Sequence, residues 1–420
     1  FTPAETLLFY LLTASTLFHF NSEILPILKH SLSLTLQHYL PLAGKLTWPP
    51  HSDLPNISYS PDDAVSLLVA EANLDFNRLS GDDIRESPEL RCLIPELSSS
   101  DEIASIMALQ ITLFPNQGFC ICITTHHAVV DGSTVIAFMK SWAYLCTQLV
   151  LGKQHPSLLP ELIPFFDRTV LEDLIGFKLS DIVEFKQRSL KLKDDSGVNI
   201  NSVRATLKLS HEDIKKLKEK ILFQLKEKTP TKQLHLSTFV VTYAYVLVCL
   251  VKARAMEDNK NVNFAFLVDC RNRLNPPLLT NYFGNCLAAR DASVKASVFR
   301  EKNGVSIVAE KISDMVRDIV EKGPLDGEVD RFKRIKNIAE AGEELLGVTG
   351  WTRFKFYGVD YGWGKPKKVE IMSIDESGTI VMLEGGDGNS VEIGGIFSRH
   401  EMEAFKSLFI SGLQDPRNRL

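Results

Sequence analysis

The sequence predicts a mixed α/β protein with two lobes. The chain has 420 residues, which is too long for one ordinary hydrophobic core and suits two domains. Helix-like and strand-like patterns follow one another without strict β-α-β alternation, which indicates a mixed architecture. From about residue 152 to 200 the pattern loosens into prolines and polar residues, as in a crossover. We therefore expect lobes at 1–160 and 201–420, with a linker at 161–200.

Four elements are predicted in the first half, three before the chain's most informative motif and one after it. Apolar residues at helical spacing predict helices over 24–40 and 61–75. Two apolar runs, at 104–114 and 118–125, are joined through "PNQ" and predict a β-hairpin. The residues after Asp131 carry a broad apolar face, which predicts a third helix.

The second half contains a longer series of periodic segments. They are a strand at 202–210, a polar helix at 211–228, an apolar helix at 237–254, a buried strand at 261–270, a helix at 305–321, strand-like alternation at 354–374 and 379–397, and a closing helix at 398–413.

Composition excludes several classes of partner. The formal net charge is -5 and no dense basic tract occurs, so nucleic acid is not expected as a partner. The longest apolar stretch, 239–251, is too short to span a bilayer, so we expect no membrane partner. Seven scattered cysteines without a C-x-x-C pair fit a reducing compartment. We expect a cytoplasmic monomer.

The stretch "HHAVVDG" stands between a predicted strand and a predicted helix. It places His126 and His127 together, four residues before Asp131 and Gly132. Adjacent residues on a strand point to opposite faces, so the two histidines would not easily share a metal ion. No Cys or Glu cluster accompanies them. We therefore expect no metal site.

Two interpretations of this stretch remain open from the residues alone. In the first, one histidine lies in a cleft as an acid/base group, and Asp131 supports the loop or holds the ring. Ser133 would then cap the following helix. In the second, Asp131 only stabilises a turn and the histidines are core residues. The short pattern by itself favours this second interpretation.

A second motif, "VDYGWGKP" at 359–366, changes this balance. It is a glycine-rich bend around Trp363 in which Asp360 is placed to pair or cap. Together with "HHAVVDG" it closely resembles the BAHD family of plant acyl-CoA-dependent acyltransferases, whose motifs are His-x-x-x-Asp and Asp-Phe-Gly-Trp-Gly. Tyr361 stands where the family has Phe. The blocks "SLSLTLQHYLPLAGKL", "DCRNRLNPP" and "YFGNC" extend the resemblance over nearly the whole chain.

The resemblance implies an enzyme with chloramphenicol-acetyltransferase-like lobes, mixed sheets and a channel between them. It implies that His127 is the general base in a ternary complex with an acyl-CoA and a hydroxyl acceptor. Asp131 would shape the loop, and His126 would be structural. No bound cofactor is implied, because the acyl-CoA is a substrate.

The same resemblance suggests roles for residues outside the histidine motif. Asp360 is expected to form a structural salt bridge with Arg271, within a structural loop completed by Gly362, Trp363 and Gly364. Thr349 is expected to face the active site. Trp351 is either an oxyanion donor or a packed strand residue. Ser237 and Thr238 are expected to line the donor channel.

The block "YFGNC" at 282–286 is similar to the clade that malonylates flavonoid, anthocyanin and phenolic glucosides. It favours malonyl-CoA as donor and a glycosylated phenolic as acceptor. The malonyl carboxylate would need a cation, for which Arg271 and Arg273 are candidates. The alternatives are acetyl- or hydroxycinnamoyl-CoA as donor, and a non-catalytic binder. Peptide-synthetase condensation domains share the histidine block but are disfavoured by "DYGWG" and by the absence of carrier modules.

Overall fold

In the part of the chain that the structure describes, helices pack on two large mixed β-sheets, and a small third sheet lies beside them. The computed structural model describes residues 2–12, 16–171, 188–192, 201–226, 234–350, 353–372 and 378–414. The strands are β1 (Pro3–Leu11), β2 (Lys45–Thr47), β3 (Asn56–Ser58), β4 (Ser66–Glu71), β5 (Arg85–Glu86), β6 (Ile103–Ser105), β7 (Met107–Phe114), β8 (Gly118–His126), β9 (Ser202–Ser210), β10 (Asn261–Asp269), β11 (Leu287–Lys295), β12 (Leu345–Thr349), β13 (Lys368–Ile371), β14 (Ile380–Glu384) and β15 (Ser390–Ser398).

The helices vary from single turns to nineteen residues. They are α1 (Leu17–His19), α2 (Leu25–Leu36), α3 (Leu40–Ala43), α4 (Phe76–Leu79), α5 (Gly132–Val150), α6 (His211–Lys226), α7 (Thr238–Ala253), α8 (Ala296–Arg300), α9 (Gly304–Lys322), α10 (Glu328–Glu340) and α11 (Arg399–Gln414). A π-helical turn covers Phe20–Ile24, and 3-10 segments lie at Ser87–Leu93, Pro160–Leu162, Arg271–Arg273 and Phe356–Gly358.

The first sheet has the order β13-β1-β8-β7-β4. The pair β4–β7 is parallel and the other pairs are antiparallel. The predicted hairpin is confirmed, because Phe114 of β7 pairs with Gly118 of β8. Every residue of both strands is buried. A strand covered on both faces has this continuous apolar pattern.

The second sheet has the order β11-β10-β12-β14-β15-β9-β5 and mixes parallel and antiparallel pairs. Its main core forms around α7, where every residue from Val240 to Val251 is buried. A helix that is apolar on all sides is stable only when other elements surround it. Here α6, α9 and α11 pack against it.

In each large sheet, one of the two edge strands comes from the other half of the chain. Strand β13 joins the first sheet beside β1, and β5 joins the second sheet beside β9. A buried ionic cluster accompanies this exchange. In it, Arg85 of β5 donates to Glu370 of β13 at 2.6 Å, and Lys368 contacts Glu392 of β15 at 3.1 Å. The two halves of the chain are therefore joined by charges as well as by apolar contacts.

Two predicted elements are wrong. Residues 61–75 do not form a helix but contain β4, which pairs with β7. In that strand Leu67 and Val69 pack on the core, while Leu68 between them is half exposed. In the predicted strand region 354–374, which the structure describes as far as residue 372, β13 is the strand in the described part, because Gly362 and Gly364 have left-handed backbone angles and bend the preceding segment. The domain boundaries at 160 and 200 stay a prediction, since 172–187 and 193–200 lie outside the described residues.

Candidate active site

His127 lies in the turn that follows β8 and borders a cavity of about 380 Å³. The cavity lies between the first sheet and strands β10 and β12 of the second sheet. Gly132, Thr349 and Phe354 line it together with His127. A Cβ atom at Gly132 would come within 3.0 Å of the Phe354 ring, so a side chain there would crowd this wall. One histidine of the pair thus reaches a cleft large enough for a small molecule.

His126 takes the opposite direction. Its side chain is buried, its Nε2 lies 3.1 Å from the carbonyl oxygen of Leu190, and its Nδ1 accepts from the backbone N–H of Ala128 at 3.3 Å. These contacts place the proton on Nε2. Burial lowers the pKa of His126, so the ring is neutral near pH 7. The two neighbouring rings therefore lie in different surroundings, with His126 at the end of β8 and His127 in the turn that follows it.

Asp131 is fully buried and pairs with Arg271. The two guanidinium nitrogens of Arg271 donate to the two carboxylate oxygens at 2.8 and 3.0 Å. The carboxylate also accepts from the backbone N–H groups of Thr134 and Cys286 at 2.9 and 3.0 Å. Burial acts to lower the pKa of Arg271, but hydrogen bonding to Asp131 raises it overall. Asp131 therefore holds the loop and turns away from the cavity.

Helix α5 begins differently from the prediction. Asp131, not Ser133, caps the helix, because its side chain accepts from the Thr134 N–H. Ser133 instead donates to the carboxylate of Asp269 at 2.7 Å, at the end of β10. Because the Asp131 carboxylate occupies the cap position, the Ser133 hydroxyl can bond to Asp269 and so connect the two sheets.

The segment "YFGNC" closes around the histidine loop. The carbonyl oxygens of Tyr282 and Gly284 accept from Arg271. The N–H of Gly284 donates to the hydroxyl of Thr134 at 3.1 Å. Asn285 donates from its side-chain amide to the carbonyl oxygen of His127 at 2.9 Å. Sequence reasoning missed this role of Asn285, although the motif match marked its position.

The predicted salt bridge between Asp360 and Arg271 is wrong. Arg271 is already saturated by Asp131 and nearby carbonyl groups. One carboxylate oxygen of Asp360 instead accepts from the backbone N–H groups of Gly362 and Gly364 at 2.7 and 3.0 Å. Both glycines have φ near +106°, so the loop closes on its own aspartate. The partly buried Trp363 packs against the core that contains α5.

This glycine-rich loop lies at the far end of α5 from His127. The hydroxyl of Thr147, in the last turn of the helix, donates to the Asp360 carbonyl oxygen at 2.9 Å. The rise of 1.5 Å per residue puts Thr147 about 22 Å from Gly132 along the helix. The loop therefore supports α5 from the end opposite to the cleft.

A second cavity of about 380 Å³ lies beside the first. Ser237 and Thr238, at the start of α7, line it together with Arg273 and Arg353. The two cavities share Phe266, Leu267, Val348 and Gly350 as walls. Ser237 caps α7 by accepting from the Val240 N–H at 3.3 Å. The first cavity borders both large sheets, whereas residues of the second half of the chain line the second cavity.

Of the remaining predicted site residues that the structure describes, one lines each cavity and one lies outside both linings. Thr349 ends β12 and lines the cavity that contains His127. Arg273 lines the second cavity and donates to the Asp269 carbonyl oxygen at 2.6 Å, whereas Arg271 is buried with Asp131. Trp351 lies outside the described residues. Its oxyanion role stays a prediction.

The described residues contain no group of three or more His, Cys, Asp and Glu side chains that could hold a metal ion, and none of their helices combines the length and hydropathy of a membrane span. Six of the seven cysteines are buried, Cys92 is exposed, and all seven are free thiols. Burial raises the pKa of Cys146 and of Cys249 to about 12, so these thiols are protonated.

Comparisons with known proteins agree with this geometry. A model of the Transferase family matches residues 2–410. Over 431 residues, the chain is 40% identical to phenolic glucoside malonyltransferase 1 of Arabidopsis thaliana, covering 98% of this chain and 90% of that protein. It is also 40% identical over 425 residues to the Arabidopsis thaliana malonyl-CoA:anthocyanidin 5-O-glucoside-6''-O-malonyltransferase, covering 98% and 91%. Vinorine synthase has the same fold, with a TM-score of 0.70, 20% identity, and coverage of 98% of this chain and 90% of that chain.

The family match and the 40% identical relatives show that the chain is an acyl-CoA-dependent acyltransferase. The chain belongs to the Transferase family, that of the BAHD acyltransferases. The predicted family and the mixed chloramphenicol-acetyltransferase-like fold are therefore confirmed.

Proposed function

We propose that this enzyme transfers a malonyl group from malonyl-CoA to a hydroxyl group of a flavonoid, anthocyanin or phenolic glucoside. The observation that carries the proposal is the position of His127 on the wall of one cavity, beside a second cavity that holds Arg273 and Arg353. One cavity suits an acceptor next to the base. The other suits an anionic acyl donor.

His127 acts as the general base in this proposal. It takes the proton of the acceptor hydroxyl while that oxygen attacks the thioester carbonyl, and a tetrahedral intermediate forms. Collapse of the intermediate breaks the C–S bond, and the CoA sulfur receives the proton from His127. Positioned general-base catalysis contributes about a hundred- to ten-thousandfold. Holding both substrates in one complex contributes a further large factor.

The neighbouring residues would position this base. Asp131 and Arg271 fix the turn from below, and Asn285 fixes the His127 carbonyl group. Asp131 is therefore assigned a structural role, as in the sequence-based hypothesis. A base held in one orientation loses little entropy when the acceptor binds.

The donor is assigned to the second cavity. Ser237 and Thr238 offer hydroxyl groups at the start of α7, where the helix dipole favours negative charge. Arg273 and Arg353 offer the cations that a malonyl carboxylate or a CoA phosphate requires. The two Arabidopsis thaliana relatives are a phenolic glucoside malonyltransferase and an anthocyanidin glucoside malonyltransferase, which supports malonyl as the acyl group.

A turnover screen tests this function. Malonyl-, acetyl- and coumaroyl-CoA are each combined with flavonoid and simple phenolic glucosides, and product is measured by mass. We expect malonyl-CoA to give the highest kcat/KM. Preference for acetyl- or coumaroyl-CoA would keep the acyltransferase but overturn the malonyl assignment.

Two variants test the assigned residues in the same assay. His127→Ala should lower kcat at least about a hundredfold, and full activity would overturn the mechanism. Arg273→Gln should raise the KM for malonyl-CoA more than the KM for acetyl-CoA if it contacts the carboxylate. An equal rise for both donors would assign Arg273 to the CoA part instead.

A further inference from the structure

Helix α10 forms one wall of the cavity that contains His127, yet it is only loosely packed. None of its residues is buried. The preceding helix α9, in contrast, buries eight residues. Helices in proteins gain most of their stability from a packed apolar face. Helix α10 must therefore be held in place by something else.

The inner face of α10 combines two ionic and two apolar side chains. Glu328, Arg331, Ile335 and Ile338 recur at helical spacing and are partly buried. Of the two isoleucines, Ile335 lines the cavity with His127. Ile338 lies one turn further along the same face. The helix thus presents one apolar side chain to the place where an acceptor would bind.

Asp291 on β11 holds this face by ion pairs. Its carboxylate accepts from Arg334 at 2.8 and 3.2 Å, and it lies 3.5 Å from Arg331. Asp291 is largely buried, with a side-chain exposure of 10%. At the start of the helix, Glu328 accepts from the backbone N–H of Ala289 at 2.9 Å. Partly buried pairs of this kind are screened less by salt than fully exposed ones.

The segment that contains α10 is anchored at both ends, and one glycine lies between each anchor and the helix. Before the helix, Arg290 donates to the carbonyl oxygen of Pro324 at 3.0 Å. After the helix, Asn263 donates to Glu343 at 2.8 Å. Between these anchors, Gly327 and Gly342 flank the helix with φ of +66° and +67°. Such positions absorb changes of backbone angle at low cost.

We propose that α10 is a movable wall that determines acceptor selectivity, with Ile335 as the acceptor-facing residue and Asp291 as the latch that sets its position. This inference rests on the proposed function, because it assigns the acceptor to the cavity that contains His127. Among the described residues, α10 contributes Ile335 to that cavity and none to the second cavity. Motion of α10 therefore changes the acceptor side and leaves the donor side intact.

The latch is tested by amide hydrogen exchange on the free enzyme. Asp291→Asn should speed exchange in residues 328–340 about fivefold or more, with exchange in α9 unchanged. The matched control is Asp318→Asn, which removes an exposed ion pair to Lys322 within α9. Arg334→Gln provides a second route to the same result, because Arg334 is half exposed and its removal leaves the fold intact. Unchanged exchange in 328–340 in either folded variant overturns the latch.

Selectivity is tested with two isoleucine variants. Ile335→Ala should raise the ratio of kcat/KM for bulky over small phenolic glucosides about tenfold and leave the KM of the acyl-CoA unchanged. Ile338→Ala, on the same face but outside the cavity lining, should leave the ratio unchanged. Equal shifts in both variants, or a shift in the acyl-CoA KM with Ile335→Ala, overturn the assignment.

These readouts separate the inference from the proposed function. The exchange experiment needs no substrate, so it reports on the latch even if malonyl-CoA is not the donor. The selectivity ratio can be measured with whichever acyl-CoA gives turnover. Normal malonyl transfer with unchanged exchange and unchanged selectivity would overturn the inference alone.

Discussion

Arg271 donates two parallel hydrogen bonds to Asp131, and this pair joins segments that lie 140 residues apart in sequence. It connects the loop after β8, in the first sheet, to the end of β10, in the second. The histidine motif is therefore held by the opposite half of the chain. The cleft beside His127 exists only when both sheets are assembled.

Asp131→Asn should destabilise the protein strongly. The change keeps the shape of the side chain but leaves the Arg271 charge buried without its partner, which costs about 3–5 kcal/mol. Urea unfolding followed by tryptophan fluorescence measures the free energy of unfolding. The exposed Asp318→Asn variant serves as control and should change it by less than about 1 kcal/mol. A loss below about 1 kcal/mol in Asp131→Asn would show that this pair does not hold the lobes together.

Asn285→Ala should lower kcat about tenfold with little effect on stability. Asn285 is exposed, and its amide contacts the carbonyl group of His127, so the loss acts on the orientation of the base. Asn281→Ala is the matched control, because Asn281 makes a similar bond to the Ile163 carbonyl group. The kcat of each variant is measured by steady-state kinetics at saturating concentrations of both substrates. Equal kcat values in the two variants would contradict a positioning role for Asn285.

Tyr361→Phe should stabilise the protein or leave its stability unchanged. The Tyr361 hydroxyl is buried and has no hydrogen-bond partner among the described residues, and an unpaired polar group costs about 1–3 kcal/mol. The ring remains packed edge-on against Trp142 at 4.7 Å. Tyr243→Phe is the control, because that hydroxyl donates to the Ala265 carbonyl oxygen at 2.9 Å. Thermal unfolding should move the two variants in opposite directions, and a clear loss of stability in Tyr361→Phe would refute the argument.

Asp360→Ala should reduce the free energy of unfolding by about 2 kcal/mol, because two backbone N–H groups lose their charged acceptor. The kcat of the folded fraction should stay within about twofold, since the loop lies about 22 Å along α5 from the base. Active-site titration corrects for the folded fraction. Loss of turnover at unchanged stability would instead assign Asp360 to the chemistry.

Glu370→Gln should flatten the loss of stability in acid. Burial alone would raise the pKa of Glu370, but the charges of Arg85 and Lys368 lower it below its ordinary value. A carboxyl group with a lowered folded-state pKa contributes fully above its unfolded pKa of about 4.3 and loses this contribution as the pH falls through the folded value. The variant should therefore lose about 3 kcal/mol at pH 7 and progressively less toward pH 3.

Urea titrations at pH 7, 5 and 3 measure this effect. The exposed Glu403→Gln variant controls for a general effect of losing one carboxyl group. A difference between wild type and Glu370→Gln that stays constant with pH would show that folding does not lower the pKa of Glu370.

The sequence alone determined the family, the fold class and the identity of the candidate base. Local patterns were sufficient for these elements because β7, β8, α5 and α7 are long and strongly apolar. The sequence also predicted different roles for His126 and His127, because neighbouring residues on an extended strand point to opposite faces. The two short motifs then pointed to one chemistry.

Tertiary structure alone decided which charges meet. The sequence resemblance paired Arg271 with Asp360 and assigned no partner to Asp131, whereas the end of β10 approaches the start of α5 and brings Arg271 to Asp131. The prediction of a helix at the position of β4 is wrong because a short apolar run does not distinguish a helix from a strand. Pairing with β7 makes this segment a strand. Long-range contacts such as these arise from the packing of distant segments. For this reason, the cavities and the wall formed by α10 could not be derived from spacing along the chain.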